Sequence, residues 1–154
     1  MKRFVLAMTG LMAAFPSAAA EPRDHKREAA IWYEAFSKHD PQLLGSVLAE
    51  DWYETPSSER RGREAGIKLL TKLTTVFPDF SAEVKDMIQE GNKVVVRSEL
   101  SGMQAGPFMG FPSRGRKISI QAIDIHEFKD GKIVRTWHSE DWMTGLHQMG
   151  VFEK

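Results

Sequence analysis

Residues 116–150 read RKISIQAIDIHEFKDGKIVRTWHSEDWMTGLHQMG, and this stretch decides the fold. Two runs of alternating apolar and polar residues flank Lys129-Asp130-Gly131, and a short helical pattern follows them. Asp-Gly between alternating runs is a strong signal for a β-hairpin. The sequence therefore predicts two long antiparallel strands, joined by a tight turn, near the end of the chain.

The length of the hairpin loop determines which side chains share a face of the sheet. A two-residue turn would place Asp124 opposite Trp137 and would put His138 on the other face. A three-residue loop over residues 129–131 moves the register by one, and Asp124 and His138 then become diagonal neighbours on one face. We expect the three-residue loop, because it allows the next apolar run to start at Ile133.

On this register, one face of the hairpin is apolar except for a few polar groups. Its residues are Ile118, Ile120, Ala122, Asp124, His126 and Phe128 on the first strand, and Val134, Thr136, His138 and Glu140 on the second. A carboxylate beside an imidazole would orient the imidazole and stabilise its charged form, which is typical of a pocket wall. The alternative is a buried ion pair with a purely structural role, since such pairs also perturb titration.

The first residues of the chain have the pattern of a secretory signal peptide. Lys2 and Arg3 precede an apolar run over residues 4–15, and an Ala-x-Ala cleavage signal ends just before Glu21. We therefore expect residues 1–20 to be removed and residues 21–154 to form a single domain. That domain would be periplasmic or secreted, with no membrane attachment after cleavage.

Composition excludes several classes of function. After removal of residues 1–20, the chain has 19 basic and 21 acidic residues, which argues against nucleic acid as a partner. The chain contains no cysteine, so thiol catalysis, thiolate metal sites and disulfides are excluded. It also lacks a Gly-rich phosphate loop, a G-x-S-x-G motif and an H-E-x-x-H motif.

The order of helical and strand patterns predicts the fold class. Residues 24–38, 41–48 and 63–77 have helical spacing of apolar side chains, and residues 82–103 then alternate with period two around a Gly91-Asn92 turn. Helices before strands predict an α+β fold, with three N-terminal helices packed on one face of an antiparallel sheet. A strongly curved sheet of this kind forms a cone with an internal pocket for a small-molecule ligand.

Several further residues are candidates for lining that pocket. Tyr33 in the first helical pattern supplies a hydroxyl donor, and Trp52 and Tyr53 would form an aromatic wall or pack against a helix. The loop over residues 102–115 carries three large apolar side chains, of which Phe108 is the first. They would close the mouth of a cavity or dock on a partner chain. The complete set from this reasoning is Tyr33, Trp52, Tyr53, Phe108, Ala122 and His126.

A metal site is a less favoured alternative on the same face. His126, His138, Asp124 and Glu140 would be brought together by strand alternation, but the sequence shows no compact ligand spacing. We therefore expect no metal.

Three segments occur in an order and spacing that resemble a known family. They are Phe77-Pro78-Asp79-Phe80, residues 106–112 (GPFMGFP) and residues 130–141 (DGKIVRTWHSED), with residues 146–150 (LHQMG) at the end. Together they resemble the SnoaL-like polyketide cyclase family of the nuclear transport factor 2-like (NTF2-like) superfamily, over roughly residues 28–150. The resemblance implies the α+β cone fold and a homodimer built on the sheet.

The resemblance also implies a chemistry. Characterised cyclases of the family close a ring by an intramolecular aldol step without cofactor or metal, using a carboxylate in the last strand and a nearby histidine in the strand before. Alignment on residues 130–133 places His138 at the carboxylate position and Asp124 at the histidine position, so the pair is exchanged. Gln104 stands where many relatives have a loop histidine, and it joins the candidate substrate-binding residues.

Two functions remain open from the sequence. The first is a cofactor-independent enzyme in which His138 and Asp124 act as an acid/base pair on a carbonyl substrate, by aldol cyclisation or isomerisation. Tyr53 would then donate a hydrogen bond to the enolate oxygen. The second is a non-catalytic exported protein that binds a small apolar ligand in the same cone.

Overall fold

The structure is a computed structural model that describes residues 23–57 and 60–153, so the predicted signal peptide lies outside the described residues. The elements are α1 (Lys26–Lys38), α2 (Pro41–Val47), β1 (Leu48–Thr55), α3 (Arg63–Val76), β2 (Ser81–Glu90), β3 (Lys93–Met103), β4 (Lys117–Lys129), β5 (Lys132–Glu140) and α4 (Trp142–Gln148). This confirms the predicted α+β class. Within the described ranges, no helix is long and apolar enough to cross a membrane.

The sheet is mixed rather than purely antiparallel, which corrects the sequence prediction. Its strand order is β1-β5-β4-β3-β2, and β1 pairs with β5 in parallel while the other neighbours are antiparallel. The predicted three helices are present, but β1 separates the second from the third. The cause is that the chain turns directly from α2 into an extended segment, whose Trp52 and Glu54 point inward and whose backbone covers the edge of β5.

The turn of the β4–β5 hairpin has two residues, so the predicted three-residue loop is wrong. Lys129 pairs with Lys132, and Asp130 and Gly131 have φ angles of 51° and 76°. Two consecutive positive φ angles are the signature of a type I′ turn, which matches the right-handed twist of the flanking strands. The Asp-Gly sequence thus adopts its most common hairpin conformation.

A β-bulge supplies the extra residue that the sequence analysis assigned to the loop. Phe128 pairs with Ile133 but Glu127 pairs with Arg135, so Val134 is inserted in β5. The shift places Asp124 directly opposite His138, not at the predicted diagonal position. One inserted residue reverses the facing of the rest of the strand whether it lies in the loop or in the strand. The predicted shared face of Asp124, Thr136, His138 and Glu140 is therefore correct, but Ile133 and not Val134 pairs with Phe128 and is buried there.

The helices pack on the inner face of the curved sheet and bury the core there. Helix α1 buries one apolar stripe, which consists of Ala29, Trp32, Tyr33, Ala35 and Phe36. Asp40 caps α2 by accepting from the backbone N–H groups of Gln42 and Leu43 at 2.8 and 3.2 Å, as the Asp-Pro sequence predicts. The outer face of the sheet carries mainly exposed side chains, including the Asp86–Arg97 pair at 2.5 Å.

Two helical glycines provide a matched test of this packing. A Cβ atom at Gly66 in α3 would lie 2.6 Å from Leu48 Cδ1, whereas one at Gly45 in α2 would have only ordinary contacts at 3.6 Å or more. Gly45→Ala should stabilise the protein by up to about 1 kcal/mol through helix propensity. Gly66→Ala should be less stable than Gly45→Ala by about 1–3 kcal/mol because the site is overpacked. Urea unfolding of both variants measures the difference, and equal free energies of unfolding would contradict the close packing of α3 on β1.

Candidate functional site

A cavity of about 610 Å³ lies between the sheet, α1, α3 and the loop that follows β3. Its apolar wall is formed chiefly by Trp32, Phe36, Leu69, Leu73, Phe80, Leu100, Phe108 and Trp142. Phe108 packs against Trp142 with ring centroids 4.6 Å apart, and the neighbouring Met109 also borders the cavity while 53% exposed. The volume lies in the range of small-molecule sites. The loop after β3 borders the cavity, which agrees with the prediction that its apolar residues lie at a cavity mouth and not with docking on a partner chain.

Asp124 is the buried carboxylate at the centre of the polar part of this cavity. Its side chain is 2% exposed, and both of its oxygens accept hydrogen bonds. Tyr33 in α1 donates its hydroxyl to Oδ2 at 2.7 Å, and His138 Nδ1 on the facing strand donates to Oδ1. Two donors thus compensate a charge whose burial would otherwise be costly.

The hydrogen bonds behind Asp124 form a chain whose direction can be assigned. Because an ionised carboxylate only accepts, Tyr33 donates to Asp124, and its oxygen accepts from His126 Nε2 at 3.0 Å. His126 therefore carries its proton on Nε2, so Nδ1 accepts from the Thr136 hydroxyl at 3.1 Å. Trp52 completes the chain by donating its indole N–H to the Thr136 oxygen at 3.0 Å.

His138 lies between two carboxylates. Its Nδ1 faces Asp124, and its Nε2 lies 3.0 Å from Glu140 Oε2. Burial alone would lower the pKa of His138, but hydrogen bonds to Asp124 and Glu140 outweigh burial and raise the pKa to about 11. Burial would raise the pKa of the Asp124 carboxyl, but the hydrogen bond and positive charge of His138 outweigh burial and lower that pKa. His138 is accordingly an imidazolium at neutral pH.

His126 and Tyr33 are held in their neutral forms. Burial lowers the pKa of His126 to about 4, although the charge of Asp124 opposes this shift. Burial and the nearby charge of Asp124 raise the pKa of the Tyr33 phenol well above its usual value. Of the two histidines on the inner face, His138 is therefore charged, because carboxylates flank it, and His126 is neutral, because it is buried.

A second carboxylate–cation pair lies beside this group. Glu54 on β1 is 4% exposed, and Arg60 donates to its Oε1 at 2.5 Å. Burial raises the pKa of Glu54, while the positive charges of His138 and Arg60 partly offset the shift. Arg60 also borders the cavity.

Four of the predicted site residues lie at or beside the polar group. Asp124 and His138 line the cavity, as does Tyr33, whose hydroxyl positions Asp124. His126 is fully buried behind Tyr33 and does not line the cavity.

The remaining predicted residues divide between the cavity wall, the core and the outer surface. Phe108 lines the cavity, whereas Ala122 and Trp52 are buried in the core outside its lining. Tyr53 lies on the outer face of the sheet, where the Arg135 guanidinium stacks 5.0 Å from its ring centre, so it is not placed to bind an enolate oxygen in this cavity. Gln104 is also buried outside the lining, and its side chain bonds the backbone of Gly106 at 3.0 Å, which holds the loop together.

Glu140 is the site residue that the sequence analysis undervalued. The sequence analysis placed Glu140 on the correct face and named it as a possible metal ligand, but did not include it among the catalytic or substrate-binding residues. Its Oε2 forms an ion pair with His138 Nε2 at 3.0 Å and accepts a hydrogen bond from the indole N–H of Trp142, while Oε1 has no hydrogen-bond partner among the described residues. The available signal was the i, i+2 spacing from His138, which puts both side chains on one face of β5.

The ring nitrogens of this group are already engaged by protein atoms. His126 bonds Tyr33 and Thr136, and His138 bonds Asp124 and Glu140. Within residues 23–57 and 60–153, no group of three or more His, Asp or Glu side chains is arranged to hold a metal ion.

Comparison with known proteins identifies relatives of this chain in sequence and in fold. The model of the SnoaL-like polyketide cyclase family matches residues 27–149. TsrD from Streptomyces laurentii is similar in structure, with a TM-score of 0.77 and 28% identity over 81% of this chain and 93% of TsrD. Wild-type IdmH from Streptomyces antibioticus has a TM-score of 0.73 and 29% identity over 83% of this chain and 99% of IdmH. Among curated proteins, no sequence matches the chain.

The protonation states of the two histidines can be measured directly. We expect ¹⁵N NMR of the imidazole rings at pH 8 to show His138 protonated on both nitrogens and His126 neutral with its proton on Nε2. The physical reasons are the carboxylates on either side of His138, the burial of His126 and the two hydroxyl groups that determine its tautomer. Titration of His138 near its ordinary pKa of 6.5 would contradict the assignment.

The raised pKa of His138 also predicts how stability depends on pH. Its folded pKa of about 11 exceeds the usual 6.5, so its stabilising contribution is complete below pH 6.5 and is lost as the pH rises toward 11. The free energy of unfolding should therefore fall between pH 7 and pH 9.5, with a slope of up to about 1.4 kcal/mol per pH unit. Urea unfolding across this range measures it. His138→Gln should flatten the slope and His147→Gln should retain it, whereas a flat wild-type curve would contradict the pairing.

Proposed function

Because the chain belongs to the SnoaL-like polyketide cyclase family, we propose that it is an enzyme that acts on a small apolar carbonyl compound without a cofactor. The proposed reaction class is aldol cyclisation or keto–enol isomerisation. The observation that carries the proposal is a carboxylate–imidazolium–carboxylate group at the wall of a largely apolar cavity. Charged groups act strongly on a bound substrate when apolar walls exclude water from around them.

Glu140 is the base in this proposal. A base must accept a proton, and neither ring nitrogen of the His138 imidazolium has a free lone pair. Asp124 is nearly inaccessible, and both of its oxygens already accept hydrogen bonds. Glu140 lines the cavity with its side chain 14% exposed, and its Oε1 has no partner among the residues that the structure describes. Its carboxylate is therefore the group best placed to remove a proton from the carbon next to a carbonyl.

His138 is the acid, and Asp124 positions it. As Glu140 takes the proton from carbon, His138 Nε2 gives a proton to the developing enolate oxygen, and the C–H electron pair becomes the enol double bond. The carboxyl group of Glu140 then rotates to carry the proton from the Oε1 position toward Nε2, which lies 3.0 Å from Oε2, and transfer of the proton to Nε2 restores the resting state. In an aldol step the enolate carbon instead attacks a second carbonyl, and the new alkoxide takes the proton from the same pair.

Location and assembly form part of the same proposal. The signal-peptide pattern of residues 1–20 supports export to the periplasm or beyond the cell. The exposed apolar side chains of Ile88, Val95 and Ile123 on the outer face of the sheet support a homodimer formed through that face.

Deuterium exchange at carbon tests the proposed proton removal. Ligands are first selected by thermal shift from aromatic ketones, keto esters and steroid-like ketones, because binding raises the melting temperature. Each binder is then incubated with the protein in D₂O, and exchange of its α-protons is followed by ¹H NMR. We expect the wild-type protein to accelerate exchange, and Glu140→Gln and His138→Gln each to reduce it by about 10²–10⁴-fold while ligand affinity is retained.

A matched substitution separates catalysis from general effects of charge. Glu127→Gln removes a carboxylate from the outer face of β4 and should leave exchange unchanged. Binding of ketones without accelerated exchange in the wild-type protein would reject catalysis and support a non-catalytic binding protein. Equal loss of affinity and exchange in Glu140→Gln would show that Glu140 serves binding alone.

A further inference from the structure

The charges along the cavity are distributed unevenly. Its inner end carries Asp124, His138 and Glu140, which together bear one net negative charge when both carboxylates are ionised. Lys68 and Lys72 of α3 also border the cavity, and both side chains are exposed to solvent. The cavity therefore has an acidic inner end and a basic rim.

The two rim lysines lack protein partners in the described part of the chain. The lysine–carboxylate ion pairs there involve Lys38 and Lys85, whereas Lys68 and Lys72 form none. Arg60 also borders the cavity but is already paired with Glu54 at 2.5 Å, and the charge of His138 is shared between Asp124 and Glu140. The positive charge available to a ligand thus comes from Lys68 and Lys72.

The spacing of these lysines strengthens their field. Residues four apart in a helix lie one above the other on the same face, and like charges at that spacing repel each other. The two ammonium groups therefore create a concentrated positive potential at the rim, next to the apolar side chains of Leu69 and Leu73 that line the cavity. An anion held there would relieve the repulsion between them.

We propose that Lys68 and Lys72 bind the anionic end of an elongated apolar ligand. The negative inner end repels that group, and the rim attracts it, so the ligand enters with its anion outward. The apolar body then lies along Leu69, Leu73 and Phe108. If the ligand is the substrate of the proposed function, it is a carbonyl compound that carries one anionic group. Only this identification of the ligand rests on the proposed function.

A pair of fluorescent probes isolates the contribution of the anion. 1-Anilinonaphthalene-8-sulfonate and N-phenyl-1-naphthylamine share one apolar skeleton and differ in the sulfonate group. We expect the wild-type protein to bind the sulfonate probe more tightly than the neutral probe at low salt. The double variant Lys68→Met/Lys72→Met should weaken binding of the sulfonate probe between about threefold and about tenfold and leave the neutral probe unchanged. Added salt should reduce the preference of the wild-type protein toward that of the variant.

Lys26→Met controls for the loss of a lysine. Lys26 is an exposed lysine in the first turn of α1 and does not border the cavity. Its variant should bind both probes as the wild-type protein does. The proposal is overturned by equal binding of the two probes to the wild-type protein, by absence of binding of both, or by equal weakening of both in the double variant.

Competition tests the preference for an anionic end and separates this inference from the proposed catalysis. Dodecanoate should displace the sulfonate probe at lower concentration than dodecanol, and this difference should vanish in the double variant. None of these readouts depends on turnover, so they stand or fall independently of deuterium exchange.

Discussion

The structure depends on the burial of one carboxylate. Asp124 is almost completely removed from water, and a charge in that position is tolerated only when donors replace its hydration. Tyr33 from α1 and His138 from β5 are those donors, so a single side chain on β4 links the helical layer to two strands of the sheet. Loss of either donor would leave the carboxylate incompletely satisfied.

The same requirement extends outward through Tyr33. Since its hydroxyl donates to Asp124, it needs a donor of its own, which is His126. His126 in turn requires the Thr136 hydroxyl, and Trp52 satisfies the Thr136 oxygen. Each proton position follows from the one before it, back to the carboxylate. The chain thereby joins α1, β4, β5 and β1 and fixes His126 in one neutral tautomer.

On the other side of Asp124 the hydrogen bonds end at the cavity instead of in the core. His138 bonds Asp124 through Nδ1 and forms an ion pair with Glu140 through Nε2. The second oxygen of Glu140 has no partner in the described residues. Glu140 borders the cavity with its side chain 14% exposed, so it is the end of this group that solvent or a bound ligand can reach.

The sequence predicted the class of fold and the shared face of Asp124 and His138, because both depend on local periodicity. It did not predict the bulge at Val134, since no turn or glycine signal marks that position, and the loop was lengthened instead. The parallel pairing of β1 was also missed, because it joins segments about 80 residues apart that have no local signature. Tyr53 was given a role that the facing of its strand excludes.

These errors share one physical origin. Local patterns report which residues are buried, but they do not report which distant group each buried polar atom meets. Tyr33 and Asp124 are 91 positions apart, and only the packing of α1 on the sheet makes the hydroxyl a donor to the carboxylate. The protonation states, the proposed role of Glu140 as base and the direction of the hydrogen bonds all depend on that packing. The chemistry of the site is therefore a property of the tertiary contacts, to which the sequence contributes the correct residues on the correct face.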